Sequence, residues 1–329
     1  MTLQKRLLKQ QSLMKNKLYL GIDTSNYTTS VALVDESGQV VFNFKKLLEV
    51  KAGERGLRQS DAVFQHIKNS HEAAEALREA MVKLDGEVCA VGVSSTPTYR
   101  EGSYMPCFMA GMAEAEMIAA SVNAPLYFFS HQAGHIMAAL YSAGITEMRS
   151  REFAAFHVSG GTTDVISVRP DDERVIYPET VGGSLDINAG QAIDRAGVMM
   201  GLGFPTGREM EMLAADYNGK LPKTLCSVNG ISCNLSGLEN KAEKLFRETS
   251  SKEAVAAYVL ASVRDTLKAM LDGIYEKYGE LPIVFAGGVI SCKMLRDTLA
   301  GANRYFAEPV YASDNACGTA LLTYYKHNQ

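Results

Sequence analysis

Residues 18–41, LYLGIDTSNYTTSVALVDESGQVV, and residues 153–176, FAAFHVSGGTTDVISVRPDDERVI, carry one pattern twice. Each opens on an apolar strand, passes a turn of small polar residues, continues through an alternating strand, and reaches a polar turn before a third strand. Thr29 to Val34 and Thr163 to Val168 are β-branched with a period of two, as a half-buried strand requires. Asp35-Glu36-Ser37-Gly38 and Pro170-Asp171-Asp172-Glu173 supply turn chemistry.

Each half predicts the same continuation. Helices are expected over 61–84 and 188–215, then short strands over 88–94 and 282–286. Each strand enters a loop of small or turn-forming residues, Ser94-Ser95-Thr96-Pro97 and Ala286-Gly287-Gly288-Val289, followed by helices over 107–122 and 291–300. Two copies of strand–strand–strand–helix–strand–helix predict two α/β domains facing a cleft, spanning 18–150 and 151–329. In that arrangement the turns at Thr24-Ser25, Ser159–Thr163 and Gly287-Gly288 offer backbone N–H groups to an anion. Glycines there let the chain approach a phosphate closely.

Composition narrows the class. Hydrophobic residues make up 47% and charged ones 21% of the 329 residues, which is globular composition. No apolar run approaches the ~20 residues of a membrane span, and the opening lacks a secretory signal, so a cytoplasmic protein is expected. Six cysteines are scattered without a C-x-x-C pair, which excludes a zinc ribbon and gives no disulfide framework. The net charge is −4, so any nucleic-acid partner needs a local basic patch or another subunit. Residues 1–17 are locally basic, with Lys5, Arg6, Lys9, Lys15 and Lys17 and no acid, and read as a solvated tail in preference to a phosphate-contacting arm.

A metal constellation stands out in PLYFFSHQAGHIMAAL, residues 125–140. A strand leads into a helix on which His131 and His135, four apart, project from one face and can share an ion. Gln132 occupies the place where a zinc peptidase of the H-E-x-x-H type needs its general base, so hydrolysis is disfavoured. Asp314, between the expected strand Glu308-Pro309-Val310 and an apolar helix, is a candidate third ligand or an N-cap. Such a His₂Asp set suits one divalent ion, Fe(II), Mn(II) or Zn(II).

His131-Gln132-Ala133-Gly134-His135, Val158-Ser159-Gly160-Gly161-Thr162-Thr163, Gly201-Leu202-Gly203-Phe204-Pro205, Leu235-Ser236-Gly237-Leu238, Ala286-Gly287-Gly288-Val289 and Ser313-Asp314-Asn315-Ala316 occur in that order. Together they resemble the universal tRNA threonylcarbamoyl-adenosine transferases over about residues 18–325. The resemblance implies the actin, heat-shock and sugar-kinase fold, with a nucleotide between the domains. It implies threonylcarbamoyl-AMP as donor, the exocyclic amine of the adenosine beside the anticodon of ANN-reading tRNA as acceptor, and Fe(II) or Zn(II) at His131, His135 and Asp314. ATP or ADP is the alternative occupant of the nucleotide site. By the same resemblance His157, Val158, Ser159, Gly160, Gly161, Asp194 and Gly207 line the adenylate site, and a paralogous scaffold subunit and a small ATPase are partners. Read from the residues alone, Asp194 accepts from a ribose or is a surface acid beside Arg195, and His157 is a fourth metal ligand or a satisfied strand histidine.

The chain departs from the family pattern at three places. Bacterial members carry an acidic pair after the first Thr-Ser, where this sequence reads Asn26-Tyr27-Thr28-Thr29. The usual Gly-Pro-Gly-Leu loop is replaced by Pro97-Thr98-Tyr99-Arg100-Glu101-Gly102-Ser103. The Asn expected to contact the nucleotide is Cys292, which lacks an amide's paired donor and acceptor. These departures describe a divergent paralogue and leave two expectations: an active transferase, or a metal- and nucleotide-binding subunit without catalysis or with a new role. A sugar kinase rests on fold analogy alone, and beyond the metal site no catalytic residue is assigned.

Overall fold

The computed structural model describes residues 15–50, 57–308, 311 and 316–329. The chain divides into two compact units. The first gathers Met1–Ala138, Asp171–Tyr177 and Asp314–Gln329; the second gathers Ala139–Pro170 and Pro178–Ser313.

The first unit is built on a five-stranded sheet in the order β3-β2-β1-β4-β5. Its strands are β1 (Asn16–Ser25), β2 (Thr28–Asp35), β3 (Val40–Leu47), β4 (Gly86–Thr96) and β5 (Leu126–Ser130), and its first two helices are α1 (Gln59–Leu84) and α2 (Phe108–Val122). β1 and β2 pair antiparallel from Leu18↔Asp35 to Ser25↔Thr28, whereas β1–β4 and β4–β5 are parallel. The period of two sorts β1 between faces. Leu18, Leu20 and Ile22 enter a core with Val31, Leu33, Val91, Val93, Ala115 and Ala119.

On the other face lies the C-terminal helix. Helix α3 (His131–Ser142) follows β5 directly, and α9 (Cys317–His327) closes the chain. Gly21 on β1 allows α9 onto bare backbone: a Cβ there would stand 2.3 Å from Ala320 N. Tyr19 meets Tyr324 edge-on at 5.1 Å. The apolar sequence of α9 reflects this burial, since Cys317 to Thr323 are all buried.

The second unit repeats the order within a seven-stranded sheet, β12-β11-β6-β7-β8-β10-β9. Here β6 (Phe153–Val158), β7 (Thr163–Asp171), β8 (Val175–Ser184), β11 (Ile283–Ala286) and β12 (Arg304–Phe306) occupy the places of β1 to β5. A two-residue ribbon, β9 (Val228–Asn229) and β10 (Ser232–Cys233), extends the edge. The helices are α4 (Ala189–Met199), α5 (Gly207–Ala215), α6 (Gly237–Thr249), α7 (Lys252–Tyr278) and α8 (Lys293–Leu299). Phe156, Phe285 and Phe306 stack across the parallel strands at centroid spacings of 5.1 and 4.9 Å. Much of α7 is buried against this core, so its hydrophobic residues run around the helix rather than along one stripe.

Three expectations change. The helix over 188–215 is two helices, because Gly201-Leu202-Gly203-Phe204-Pro205 cannot continue one. The helix over 291–300 begins later, at Lys293, after a 3-10 turn at Gly288–Ser291. The edge strand lies at Arg304–Phe306, paired with β11, rather than at 308–310; of those three residues only Glu308 is described, and it is outside any strand.

Candidate functional site

The first unit places the histidine pair at the start of α3. The imidazole Nε2 atoms of His131 and His135 stand 2.9 Å apart, with both side chains half-buried. Two nitrogens bound to one ion at about 2.1 Å each would lie about 3.0 to 3.4 Å apart, so the pair, now at hydrogen-bond distance, needs to open by only a few tenths of an ångström to share a metal. Ser130 Oγ accepts from Ala133 N at 3.2 Å, and Pro97 O accepts from Gln132 N at 3.0 Å, which fixes the first turn.

On the far side of His131, Asp23 Oδ1 is 2.9 Å from Nδ1. Asp23 is 1% exposed, at the end of an otherwise apolar half of β1. The motifs in the sequence did not single out this residue. Its signal was a carboxylate interrupting LYLGI, where burial is costly without a partner. Among the described residues no group of three or more His, Cys, Asp or Glu side chains gathers to hold a metal. Asp314, the third candidate ligand, lies outside the described residues.

Thr24 and Ser25 belong to β1 rather than to an open loop. The hairpin turns through Asn26-Tyr27 alone, since Ser25 pairs with Thr28. Thr24 Oγ1 donates to Cys107 O at 3.0 Å and accepts from Gly111 N at 3.1 Å, anchoring β1 to the head of α2. Behind the hairpin, His66 is wholly buried. Its Nε2 donates to Ser25 O at 2.9 Å, which leaves Nδ1 to accept from Thr29 Oγ1 at 2.8 Å. Asn69 Nδ2 donates to the same hydroxyl at 3.2 Å. Burial lowers the His66 pKa, partly opposed by the Ser25 carbonyl and the Asp23 charge. Residues 26–29 thus sit on a network of imidazole, hydroxyl and amide groups.

The substituted loop 97–103 is compact. Ser103 Oγ accepts from Thr98 N and from Thr98 Oγ1, both at 3.1 Å. Tyr99 stacks on Tyr177 at 5.4 Å, and the Arg174 guanidinium lies 5.1 Å from the Tyr99 ring and 5.7 Å from that of Tyr177.

The second unit gathers Gly160, Asp194, Gly207, Gly288 and Cys292 around a cavity of about 510 Å³. That volume suits a nucleotide-sized molecule. A Cβ at Gly160, Gly161, Gly207 or Gly288 would meet nothing within 4 Å, so backbone is open at each. The Ser159–Thr162 loop is already shaped: Ser159 Oγ accepts from Gly161 N at 3.2 Å and Thr162 N at 3.1 Å. Asn188 Nδ2 donates to Gly161 O at 2.7 Å, and Gly190 packs on Gly160 so closely that a Cβ would stand 2.6 Å from its Cα. Gly287, at φ +100°, approaches Val158 O in the same way.

Asp194 lines the cavity, and its Oδ1 accepts from Thr206 N at 2.8 Å and Thr206 Oγ1 at 3.1 Å, holding the turn into α5. Arg195 instead pairs with Glu239. Cys292 lines the cavity at the head of α8, and burial pushes its thiol pKa up. Val158 is fully buried beneath the loop, and His157 is half-buried within β6, opposite Asp164 and beside Ala286. Two charged lining residues were not foreseen from the sequence, Arg208 and Glu211. Their signal was position alone, on the first turns of a helix that opens at Gly207.

A family model described as tRNA N6-adenosine threonylcarbamoyltransferase matches residues 47–321. The chain belongs to that family. The members of the family are named as acyltransferases, and curated relatives agree across the chain. The relative from Neorickettsia sennetsu is 27% identical over 319 residues, 92% of each chain. One from Streptococcus pneumoniae is 31% identical over 299 residues, 87% of this chain and 84% of its own. Both carry the family's name as their own. Among solved structures, full-length HypF in its phosphate- and nucleotide-bound form gives a TM-score of 0.56 at 10% identity, covering 95% of this chain and 46% of that one. The Acidaminococcus fermentans (R)-2-hydroxyglutaryl-CoA dehydratase component A gives 0.51 at 14%, covering 95% and 99%. At these identities the likeness shows the fold alone, which is the actin-like α/β fold expected from the sequence. Among the described residues no helix is long and apolar enough to cross a membrane.

Proposed function

We propose that this chain transfers the threonylcarbamoyl group of threonylcarbamoyl-AMP to the exocyclic amine of the adenosine beside the anticodon in ANN-reading tRNA. The observation that carries the reading is the glycine-walled cavity of the second unit, in a chain of this family. Its open backbone at Gly160, Gly207 and Gly288 suits a nucleotide, and Asp194 and Glu211 supply acceptors for ribose hydroxyls or an adenine amine.

The amine is a weak nucleophile because its lone pair is shared with the purine ring. Its attack forms a nitrogen–carbon bond, the carbon–oxygen bond to phosphate breaks, AMP leaves with that electron pair, and the amine proton passes to solvent. The Ser159 hydroxyl and the N–H groups of Gly160, Gly207 and Gly288 would stabilise the charge that gathers on the departing phosphate. His131 and His135, with Asp314, would hold one Fe(II) or Zn(II), and such an ion would supply Lewis acidity. Asp23 and Ser130 hold the first turn of α3 so that both imidazoles keep their orientation. We take the working halves to be the two units into which the chain divides, so that Asp314–Gln329 returns to the first half rather than belonging to a half that runs 151–329. The enzyme would act in the cytoplasm alongside a scaffold paralogue and a small ATPase, with the basic tail 1–17 or a partner supplying positive charge for tRNA.

A second reading is favoured by a specific observation. The neutral His66–Thr29–Asn69 network and the Tyr99–Tyr177–Arg174 stack replace the acidic hairpin and the flexible loop. Such changes suit a paralogue with a different acceptor, or a binding subunit. Nucleoside mass spectrometry separates the readings. Unmodified ANN-reading tRNA is incubated with this protein, threonylcarbamoyl-AMP, Fe(II) or Zn(II) and a conventional partner set, with Asp314→Ala as control. Modified adenosine that vanishes with the variant is the expected result. Adenylate binding without product would overturn the tRNA activity and leave the second reading.

A further inference from the structure

We propose that Asp23 is the positioning residue of the metal centre: its carboxylate fixes His131 in the tautomer with the proton on Nδ1, so that Nε2 turns a lone pair toward the point it shares with His135. The inference rests on the metal reading above and adds a residue to it.

The argument begins with cost. A carboxylate that is 1% exposed carries a desolvation penalty of several kcal/mol unless a partner compensates it. Nothing in the strand pattern requires one at this position, because the preceding β1 residues from Leu18 are apolar or glycine and buried. Among the described residues a partner is His131, whose Nδ1 lies 2.9 Å from Oδ1.

Chemistry then fixes the proton. An ionised carboxylate only accepts hydrogen bonds, so Nδ1 must be the donor and, in the neutral ring, Nε2 must be the lone pair. That same Nε2 is the atom 2.9 Å from His135 Nε2. Carboxylate, imidazole and the shared point therefore lie in series, the arrangement in which a carboxylate orients a ligating histidine and raises its basicity.

The carboxylate is also held rigidly. Asp23 pairs with Ser30 across the β1–β2 ladder, and Ser30 Oγ donates to Asp23 O at 3.1 Å. Its neighbour Thr24 is tied to Cys107 O and Gly111 N. A ligand oriented from a strand keeps its geometry better than one oriented from a loop. The competing account is an ion pair between Asp23 and a protonated His131 that serves stability alone. That account leaves metal affinity indifferent to Asp23.

The test uses the full chain and Zn(II), with affinity read by competition against a chromophoric chelator, and Co(II) absorption as a second readout. Asp23→Asn keeps the shape but lets the amide turn and donate to Nδ1, moving the proton to Nε2; Asp23→Leu removes the partner. Both are expected to weaken Zn(II) about 10- to 100-fold and to shift the Co(II) bands, with His131→Ala losing more. In the metal-free wild type, nitrogen-15 spectra of the histidines are expected to show His131 protonated on Nδ1, which needs no variant to fold. Wild-type binding that both folded Asp23 variants match would overturn the positioning role and leave the metal reading intact. A wild type that binds neither ion, with His131→Ala indistinguishable, would overturn both. A His131 proton found on Nε2 would overturn the positioning role by itself.

Discussion

Arg208 shows what a single residue adds that the motifs do not. Among the described residues, the charged ones around the second unit's cavity are Asp194, Glu211 and Arg208, so one cation stands there among two acids. If, as proposed, the glycine turns take the phosphate end, a flat guanidinium on the first turn of α5 is left for the base. Stacking of a guanidinium on an aromatic face contributes about 1 kcal/mol, or roughly fivefold in affinity. Arg208→Ala is therefore expected to weaken AMP and adenosine alike by about that factor, measured by calorimetry, with stability unchanged because the residue is exposed. A loss confined to AMP would assign Arg208 to the phosphate instead. Arg208 was invisible in sequence because exposed arginines are common and nothing local marks this one. Asp23 was more legible: a carboxylate in an apolar strand asks for a partner, but the partner lies 108 residues away. His131 and His135 needed only the helical repeat.

Helix α9 is where element packing governs the candidate metal centre. It crosses α3 at Gly318 and Gly134, and Gly134 lies within the His131–His135 turn. A Cβ on Gly318 would stand 1.8 Å from Gly134 O, which is backbone and cannot swing aside. Gly318→Ala gains about 1 kcal/mol of helix propensity, while overpacking of this kind costs about 1–3 kcal/mol or more. Overlap this severe puts the cost at the upper end, so a net loss of about 2 kcal/mol is expected by urea unfolding. Because the displaced element carries both imidazoles past Asp23, Zn(II) affinity is expected to fall in the same variant. Unchanged stability together with unchanged affinity would mean that the two helices are not seated through these glycines. The existence and type of these elements were legible from period and turn chemistry. Their interruptions were not: the broken stretch 200–206 and the shift of β12 to Arg304–Phe306 are set by packing around α7 and β11, which local pattern does not encode.

At the scale of the molecule, the duplication was the most legible feature, because it is written twice. The order β3-β2-β1-β4-β5 recurs as β8-β7-β6-β11-β12. What the repeat concealed is divergence between its copies. The first hairpin turns in two residues over a neutral buried network, while the second opens a four-residue glycine loop between Val158 and Thr163. The repeated turns therefore differ in chemistry: one is closed by strand pairing and hydroxyls, the other presents open glycines. The proposed division of labour, with nucleotide in the second unit and metal in the first, is tested by amide hydrogen exchange. Ligand at about 100 times its dissociation constant stabilises the state it binds by about 2.7 kcal/mol, enough to slow exchange about 100-fold at amides that open with the site. AMP is expected to protect Val158–Gly161, the first turns of α4 and residues 205–211. Zn(II) is expected to protect the end of β1 and the first turns of α3. Protection by AMP confined to β1 and α3, or by Zn(II) confined to the glycine loop, would reverse the assignment and return the first hairpin to the role its sequence suggested.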